Sequence, residues 1–325
     1  MLGPQHVGSR VVVRRIVGRR GDRPVYSDIL GHLVEVTETH LTVRARAGVI
    51  RIPTAEIHRA KQVPDRRRLT PTEALEVAAA AGWPAREQDR LGDWLLRATD
   101  GWTMRANSAL PVGDPDLPLP DAVDAVTRWY EQRNLRPTIS VPLPLFRRID
   151  DELERRGWTP TPLTMVMTAP LAALAAPPAV PLGAAPSQDP AISLDAAPSQ
   201  EWLTSVAGRK GPLPDCARAV LTEVASVRFA SLRDAEGTLL ATGRGCVADA
   251  GGRWLGLSLI GTDERARRQG LARRVIAALV AWAAQTGATD AYLQVEQRNT
   301  GAVALYERLG FTTHHVYLTR QLITT

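Results

Sequence analysis

Two stretches of this chain match one another at a fixed spacing. Trp129 and Trp282, Gly157 and Gly310, and Trp158 and Phe311 each stand 153 positions apart. Around the first set lie a helical pattern containing Trp129, an extended run near Val141, a helix ending LERRGW and the extended run PLTMVMT. Around the second lie a helical pattern containing Trp282, an extended run near Val295, a helix ending LYERLGF and the run HHVYLTR. Spacing held over four elements predicts two copies of one helix–strand–helix–strand unit. The expected fold class is therefore α/β (α+β).

The repeat leaves room for more. Residues 7–62 carry about five short β-branched runs, with turn signals at Gly21-Asp22 and Ala47-Gly48. They predict a small SH3/Tudor-like β-barrel. Tyr26 is the one aromatic residue there, so no aromatic cage is expected. Residues 1–68 hold 14 Lys/Arg against six Asp/Glu, whereas the remainder holds 26 against 28. A basic module on a near-neutral body suits a nucleic-acid or acidic-protein contact. The chain has only two lysines, Lys61 and Lys210, so a general preference for arginine accounts for the same excess.

The resulting domain reading is 1–64 as the small barrel, 70–170 as the first copy, 171–200 as an Ala/Pro-rich linker and 201–325 as the second copy. A helix is expected from Thr70-Pro71-Thr72-Glu73, a cap followed by proline at the first helical position. In the last region strands are expected near 226–233, 239–248 and 253–260. A helix then runs from Leu271 to Gln285, with one apolar stripe at three- and four-residue spacing.

Several classes are disfavoured. No apolar run approaches the ~20 residues of a membrane span, and the first residues, MLGPQHVGSRVVV, lack the features of a secretory leader. A cytoplasmic protein is expected. Two cysteines, Cys216 and Cys246, are too few for a disulfide framework and are expected as buried thiols. The six histidines make no HxxxH or HExxH pattern, so no metal site is expected.

Between the strand RWLGLSLIG and the Leu271 helix stands RARRQGLARR, residues 265–274, with five arginines around Gly270. Read as a nucleic-acid patch, it lacks interleaved aromatics. Read as a solvated helix face, it carries a glycine that costs about 1 kcal/mol against alanine. Read as an anion loop, both features have a use. The free N–H groups and positive dipole end of a helix N-terminus attract anions. Glycine permits close backbone approach, and arginine adds bidentate phosphate contacts. The combination suits a pyrophosphate.

Arg267-Arg268-Gln269-Gly270-Leu271-Ala272 resembles the R/Q-x-x-G-x-G/A signature of the GCN5-related N-acetyltransferases (GNATs). NTGAVALYERLGF, from Asn299 to Phe311, resembles the same family's N-x-x-A-x-x-L-Y-x-x-x-G-F segment. The likeness is close over 201–325 and looser elsewhere. The GDWLLRATDGW…RANSALP run resembles the N-terminal part of some actinobacterial members, among which SH3-like N-terminal domains also occur.

The resemblance implies transfer of an acetyl group from acetyl-CoA, with no metal, to a primary amine by direct attack. It implies that Gln269, Gly270, Leu271, Ala272 and Arg273 hold the pyrophosphate, with Arg267 and Arg268 adding charge. Leu259 and Ile260 would border the pantetheine arm, with a backbone N–H near Ile260 facing the thioester oxygen. Asn299 would contact the same arm, and Tyr306 would protonate the departing thiolate.

The chain departs from many relatives at Ile260-Gly261-Thr262, where they have V-x-P, and at Leu257-Ser258-Leu259, which offers no carboxylate. Glu296 is then the candidate base, or a surface carboxylate paired with Arg298. The first copy has Leu153 in place of Tyr306 and no R-x-x-G-x-A, so it is expected as a degenerate GNAT-like half. Its Asn107 and Ser108 either reach the acceptor or cap a turn. A catalytically weak acyl-CoA-binding regulator is the alternative, with the basic barrel binding nucleic acid or an acidic protein. The acceptor, a small molecule or a protein, is not legible. The tandem arrangement suggests a monomer.

Overall fold

The computed structural model describes residues 2–45, 48–63, 69–174, 191–249 and 251–323. The chain divides into two compact units, Met1–Leu69 and Thr70–Thr325.

The first unit is a five-stranded antiparallel sheet. Its strands are β1 (Arg10–Arg20), β2 (Arg23–Val36), β3 (His40–Ala45), β4 (Gly48–Pro53) and β5 (Ile57–Gln62), ordered β4-β3-β2-β1-β5. Val11 and Val13 alternate onto one face and pack with Ile29, Leu33, Leu41, Val43 and Ile52. Gly21-Asp22 turns β1 into β2 as expected; Ala47 lies outside the described residues. The expected barrel does not close: β4 and β5 end the sheet, and no ladder joins them among the described residues. Turn chemistry locates strands, but closure depends on pairing between distant strands that no local signal encodes.

The second unit begins with α1 (Pro71–Ala81), capped as expected: Glu73 N donates to Thr70 Oγ1 and Thr70 N to a Glu73 carboxylate oxygen. The hairpin β6 (Glu87–Leu91) and β7 (Trp94–Ala98) follows. Then come α2 (Leu119–Glu131), β8 (Thr138–Leu143), α3 (Arg147–Arg155), β9 (Thr159–Pro160) and β10 (Thr164–Pro170). After α4 (Leu171–Leu174) and β11 (Ala191–Asp195) come α5 (Gln200–Lys210), α6 (Cys216–Thr222), β12 (Ser226–Arg233), β13 (Leu239–Val247) and β14 (Trp254–Thr262). The chain ends with α7 (Leu271–Gln285), β15 (Asp290–Glu296), α8 (Thr300–Arg308) and β16 (Thr312–Gln321).

The repeat is present element by element: α2, β8, α3 and β10 match α7, β15, α8 and β16. Its halves are not separate sheets, however. One mixed sheet runs β11-β12-β13-β14-β15-β10-β16-β8, with β9 beside β16. Each half's inner strand pairs with the other half's last strand: β15 with β10 (Thr164↔Glu296 to Pro170↔Asp290) and β8 with β16 (Val316↔Leu143 to Gln321↔Thr138). The two last strands, β10 and β16, meet antiparallel between β15 and β8.

The segment expected as a linker, 171–200, is partly built into the fold. Leu171 and Leu174 of α4 enter the core, and β11 pairs with β12; 175–190 lie outside the described residues. Composition marked this stretch, but a strand can form from Ala-Ile-Ser-Leu-Asp once a sheet edge offers hydrogen bonds.

Two faces of the sheet are covered differently. Leu271, Val275, Ile276, Leu279, Val280 and Ala283 bury the predicted stripe of α7 on one face, with α8 beside it. A Cβ on Gly243 of β13 would stand 2.5 Å from Val275 Cγ1, so this glycine lets α7 lie close on the strand. Trp202 and Val206 of α5 and Val220 and Leu221 of α6 pack with Trp83, Phe229 and Cys246 in a separate cluster.

Candidate active site

Beyond Leu257 the strands β14 and β15 part. They pair in parallel only from Trp254↔Asp290 to Leu257↔Leu293, although β14 continues to Thr262 and β15 to Glu296. The pairing of β14 with β13 also shifts, with Thr242 opposite Gly261 and Arg244 opposite Ser258, so β14 carries one extra residue. Leu259 sits in that irregularity with φ of +54°, a conformation unusual for a side chain of its size. A parted, bulged strand opens a gap whose backbone groups can meet an extended ligand.

The chain after β14 makes a short 3-10 turn (Glu264–Ala266) and enters α7 through Arg267-Arg268-Gln269-Gly270. Arg268 and Gly270 both have positive φ, +63° and +76°. Gly270 is the N-cap, has no side chain to satisfy the first turn, and no acidic residue follows it there. The N-terminal N–H groups of a four-turn helix thus face outward without a side-chain cap.

Gap and loop open into one cleft of about 1010 Å³. Leu259, Ile260, Arg267, Arg268, Gly270, Leu271, Ala272, Arg273, Asn299 and Tyr306 all line it, and Gln269 lies within the loop but off the cleft wall. Among its described lining residues, six are Lys or Arg and one, Glu264, is acidic; Glu264 is paired with Arg267 at 2.8 Å. That wall suits a polyanion.

Two of the expected residues have further roles. Asn299 Oδ1 accepts from Ala302 N at 3.3 Å and caps α8, leaving its Nδ2 group for other partners. Tyr306 packs on the α7 core and edge-on to Phe311, with ring centroids 5.9 Å apart. Burial pushes its phenol up to about 12, so it holds its proton at neutral pH. Leu153, its counterpart in the first half, is fully buried.

Glu296 is placed elsewhere. It lines a smaller cavity of about 130 Å³ on the other side of β15, and its carboxylate accepts from Arg298 Nε at 2.5 Å. Ser108 lines that cavity too and accepts from Arg97. Asn107 instead staples a turn, accepting from Thr99 N and Gly101 N and donating to the carbonyls of Trp102 and Thr103.

Sequence reasoning missed Arg209. From α5 it reaches the cleft, donates to Thr242 Oγ1 at 2.6 Å, and has no carboxylate partner among the described residues; burial lowers its pKa. Its Nη1 lies 0.9 Å from where a Cβ on Gly261 would stand. The glycine that departs from V-x-P therefore makes room for a guanidinium. The available signal was Ser199 three residues before Trp202, followed by Val206 and the basic end Arg209-Lys210. Cys216 and Cys246 are both buried.

The family model described as "Probable histone acetyltransferase Rv0428c C-terminal" matches residues 71–319. The chain is 30% identical to the "Probable histone acetyltransferase Rv0428c" of Mycobacterium tuberculosis, over 95% of this chain and 93% of that protein. It is 28% identical to the "Uncharacterized N-acetyltransferase YobR" of Bacillus subtilis, over 76% of this chain and 98% of that one. A solved GCN5-related N-acetyltransferase from Kribbella flavida has the same fold, with a TM-score of 0.59, 17% identity, and coverage of 79% of this chain and 98% of that one. The chain belongs to the GCN5-related N-acetyltransferase superfamily, as a tandem member that transfers an acyl group from acetyl-CoA.

Proposed function

We propose that the cleft divides its work as follows. The first N–H groups of α7, with Gly270, Arg267, Arg268 and Arg273, hold the pyrophosphate, and Arg209 and Lys210 add charge from α5. Leu259 and Ile260 border the pantetheine arm in the gap, and Asn299 Nδ2 donates to it. A backbone N–H at Ile260 stabilises the negative charge that develops on the thioester oxygen. The neutral amine nitrogen forms the new C–N bond, the C–S bond breaks with its electron pair on sulfur, and the Tyr306 phenol supplies the thiolate's proton. The amine's proton leaves toward solvent, with Glu296 relaying it once released from Arg298. The observation that carries this reading is the single cationic cleft joining the capless α7 terminus, the β14–β15 gap and Tyr306.

The test is acetyl-CoA turnover in Tyr306→Phe. A loss in kcat with unchanged acetyl-CoA affinity supports the general-acid role; unchanged kcat removes it. The acceptor is a primary amine. A histone lysine, which the mycobacterial relative's name suggests for that protein, is one candidate class for this chain.

The N-terminal unit is an SH3-like module in this account. Its support is the order β4-β3-β2-β1-β5 and the 3-10 turn Thr54–Glu56 just before β5. Its excess of arginine fits an acidic partner, protein or nucleic acid. The chain acts as a monomer, because β10 and β16 give one another sheet partners within a single chain.

A further inference from the structure

The cavity beside Glu296 lies on the face of the sheet opposite α7. Leu293 and Val295 of β15 point into the α7 core, so Gln294 and Glu296 point the other way. Continuing the β14–β15 register past Leu257↔Leu293 sets Glu296 level with Ile260 and Gly261 across the gap. An amine held in this cavity thus approaches the gap from the face opposite Tyr306.

Among the described residues, its walls hold three arginines, Arg97, Arg105 and Arg298, and two acids, Glu76 and Glu296, of which Glu296 is paired with Arg298. Arg97 is 3% exposed. Its Nε donates to Ser108 O at 2.9 Å and its Nη2 to Ser108 Oγ at 3.0 Å, and among the described residues no carboxylate pairs with it. Arg105 shares the cavity and lies over the Trp83 ring, 5.2 Å from its centroid. The same ring carries Arg244, outside the cavity lining, at 5.4 Å; this arginine is 1% exposed, and among the described residues its Nη2 has no hydrogen-bond partner. Arg244 stands opposite Ser258 in the β13–β14 ladder, two residues before Ile260. The buried acid in this cavity wall, Glu76, is already engaged by His315 Nε2 at 2.8 Å. Guanidinium groups stripped of water and without a carboxylate in ion-pair contact favour an anionic ligand.

We infer that this cavity between the halves is the acceptor site, and that the acceptor carries a carboxylate close to its amine, as a free amino acid does. Arg97 and Arg105 take the carboxylate, and the amine lies toward Glu296 and the gap. The volume admits a small zwitterion. The cationic walls disfavour the lysine of an arginine- and lysine-rich tail. The inference rests on the acetyltransferase reading of the cleft, and supplies its substrate class.

The test pairs L-amino acids with their amides, which keep the amine and lose the charge. With the full chain and acetyl-CoA, thiol release is followed for each member, beside a lysine-bearing histone-tail peptide. The expected result is at least one free amino acid preferred over its amide by about 10²-fold in kcat/KM. Arg97→Gln should remove that preference while the acetyl-CoA Kd, read by calorimetry, stays unchanged. Arg105→Gln, at a less buried site, repeats the test should Arg97→Gln not fold. Three results overturn the inference: equal use of acid and amide, acetylation of the histone peptide alone, or acetyl-CoA binding with no acidic amine accepted. Failure of the wild type to bind acetyl-CoA is a different outcome; it removes the cleft reading and the inference with it.

Discussion

Tyr306 is the residue on which the proposed chemistry turns. Its side chain is partly buried against α7, so the charged phenolate is disfavoured and the proton is retained well past neutrality. Tyr306→Phe should lower kcat by about 10²-fold with little change in acetyl-CoA affinity. Because the phenol's pKa is raised, the acid form persists as pH rises. The kcat profile should therefore show no falling limb from Tyr306 until pH nears about 12. A falling limb near pH 9 that disappears in Tyr306→Phe would contradict this. Tyr306, Asn299 and the arginine loop were legible in the sequence because each lies in a short contiguous motif. Arg97, Arg209 and Arg244 were not, since an arginine's burial depends on which distant strand or helix packs over it. Glu296 was legible as a carboxylate beside Arg298, and the structure pairs the two.

At the level of elements, strands and helices that carry their own periodicity were readable: β12 to β14 and α7 fall within a few residues of expectation. The close seat of α7 on β13 was not, although its cause is one residue. A side chain on Gly243 would meet Val275 Cγ1 at 2.5 Å and Ile260 Cδ1 at 2.7 Å. Gly243→Val should cost about 1–3 kcal/mol through overpacking, lowering Tm by roughly 2–4 °C per kcal/mol, and should weaken acetyl-CoA binding by displacing Ile260. A variant with unchanged melting and affinity would show that the contact is not tight. Another fixed point joins α3 to β16. Arg320 Nε donates to Asp150 Oδ1 at 2.8 Å and its Nη1 to Trp158 O at 3.0 Å, with both charged side chains buried. Asp150→Ala removes the close, buried partner of that guanidinium, leaving the longer ion pair to the exposed Glu154 at 3.6 Å, and should destabilise the protein by up to about 3–5 kcal/mol, measured by urea unfolding.

Over the whole second unit, the repeat was visible as a 153-residue spacing, but the exchange of last strands was not. A local pattern tells that a segment is extended; it does not say which distant strand completes its hydrogen bonds. The exchange has a consequence. Residues 191–325 expressed alone would leave β15 without β10 on one side and β16 without β8 and β10 on both. Such open edges invite association. That fragment should be insoluble or oligomeric by light scattering, whereas the full chain should be monomeric. A soluble monomeric fragment that binds acetyl-CoA as the full chain does would show that the halves fold independently.

In the proposed function, RARRQGLARR and the start of α7 form the phosphate-binding end of the acetyl-CoA cleft. Gly270 has φ of +76° and open space where a Cβ would stand, so a carboxylate introduced there reaches the cleft rather than the core. The direct measurement is calorimetric titration of acetyl-CoA into the wild type and into Gly270→Glu, with folding of both checked by thermal melting. Micromolar binding by the wild type, lost in a folded Gly270→Glu, is the predicted result. Equal affinity in both proteins would contradict the assignment of the loop.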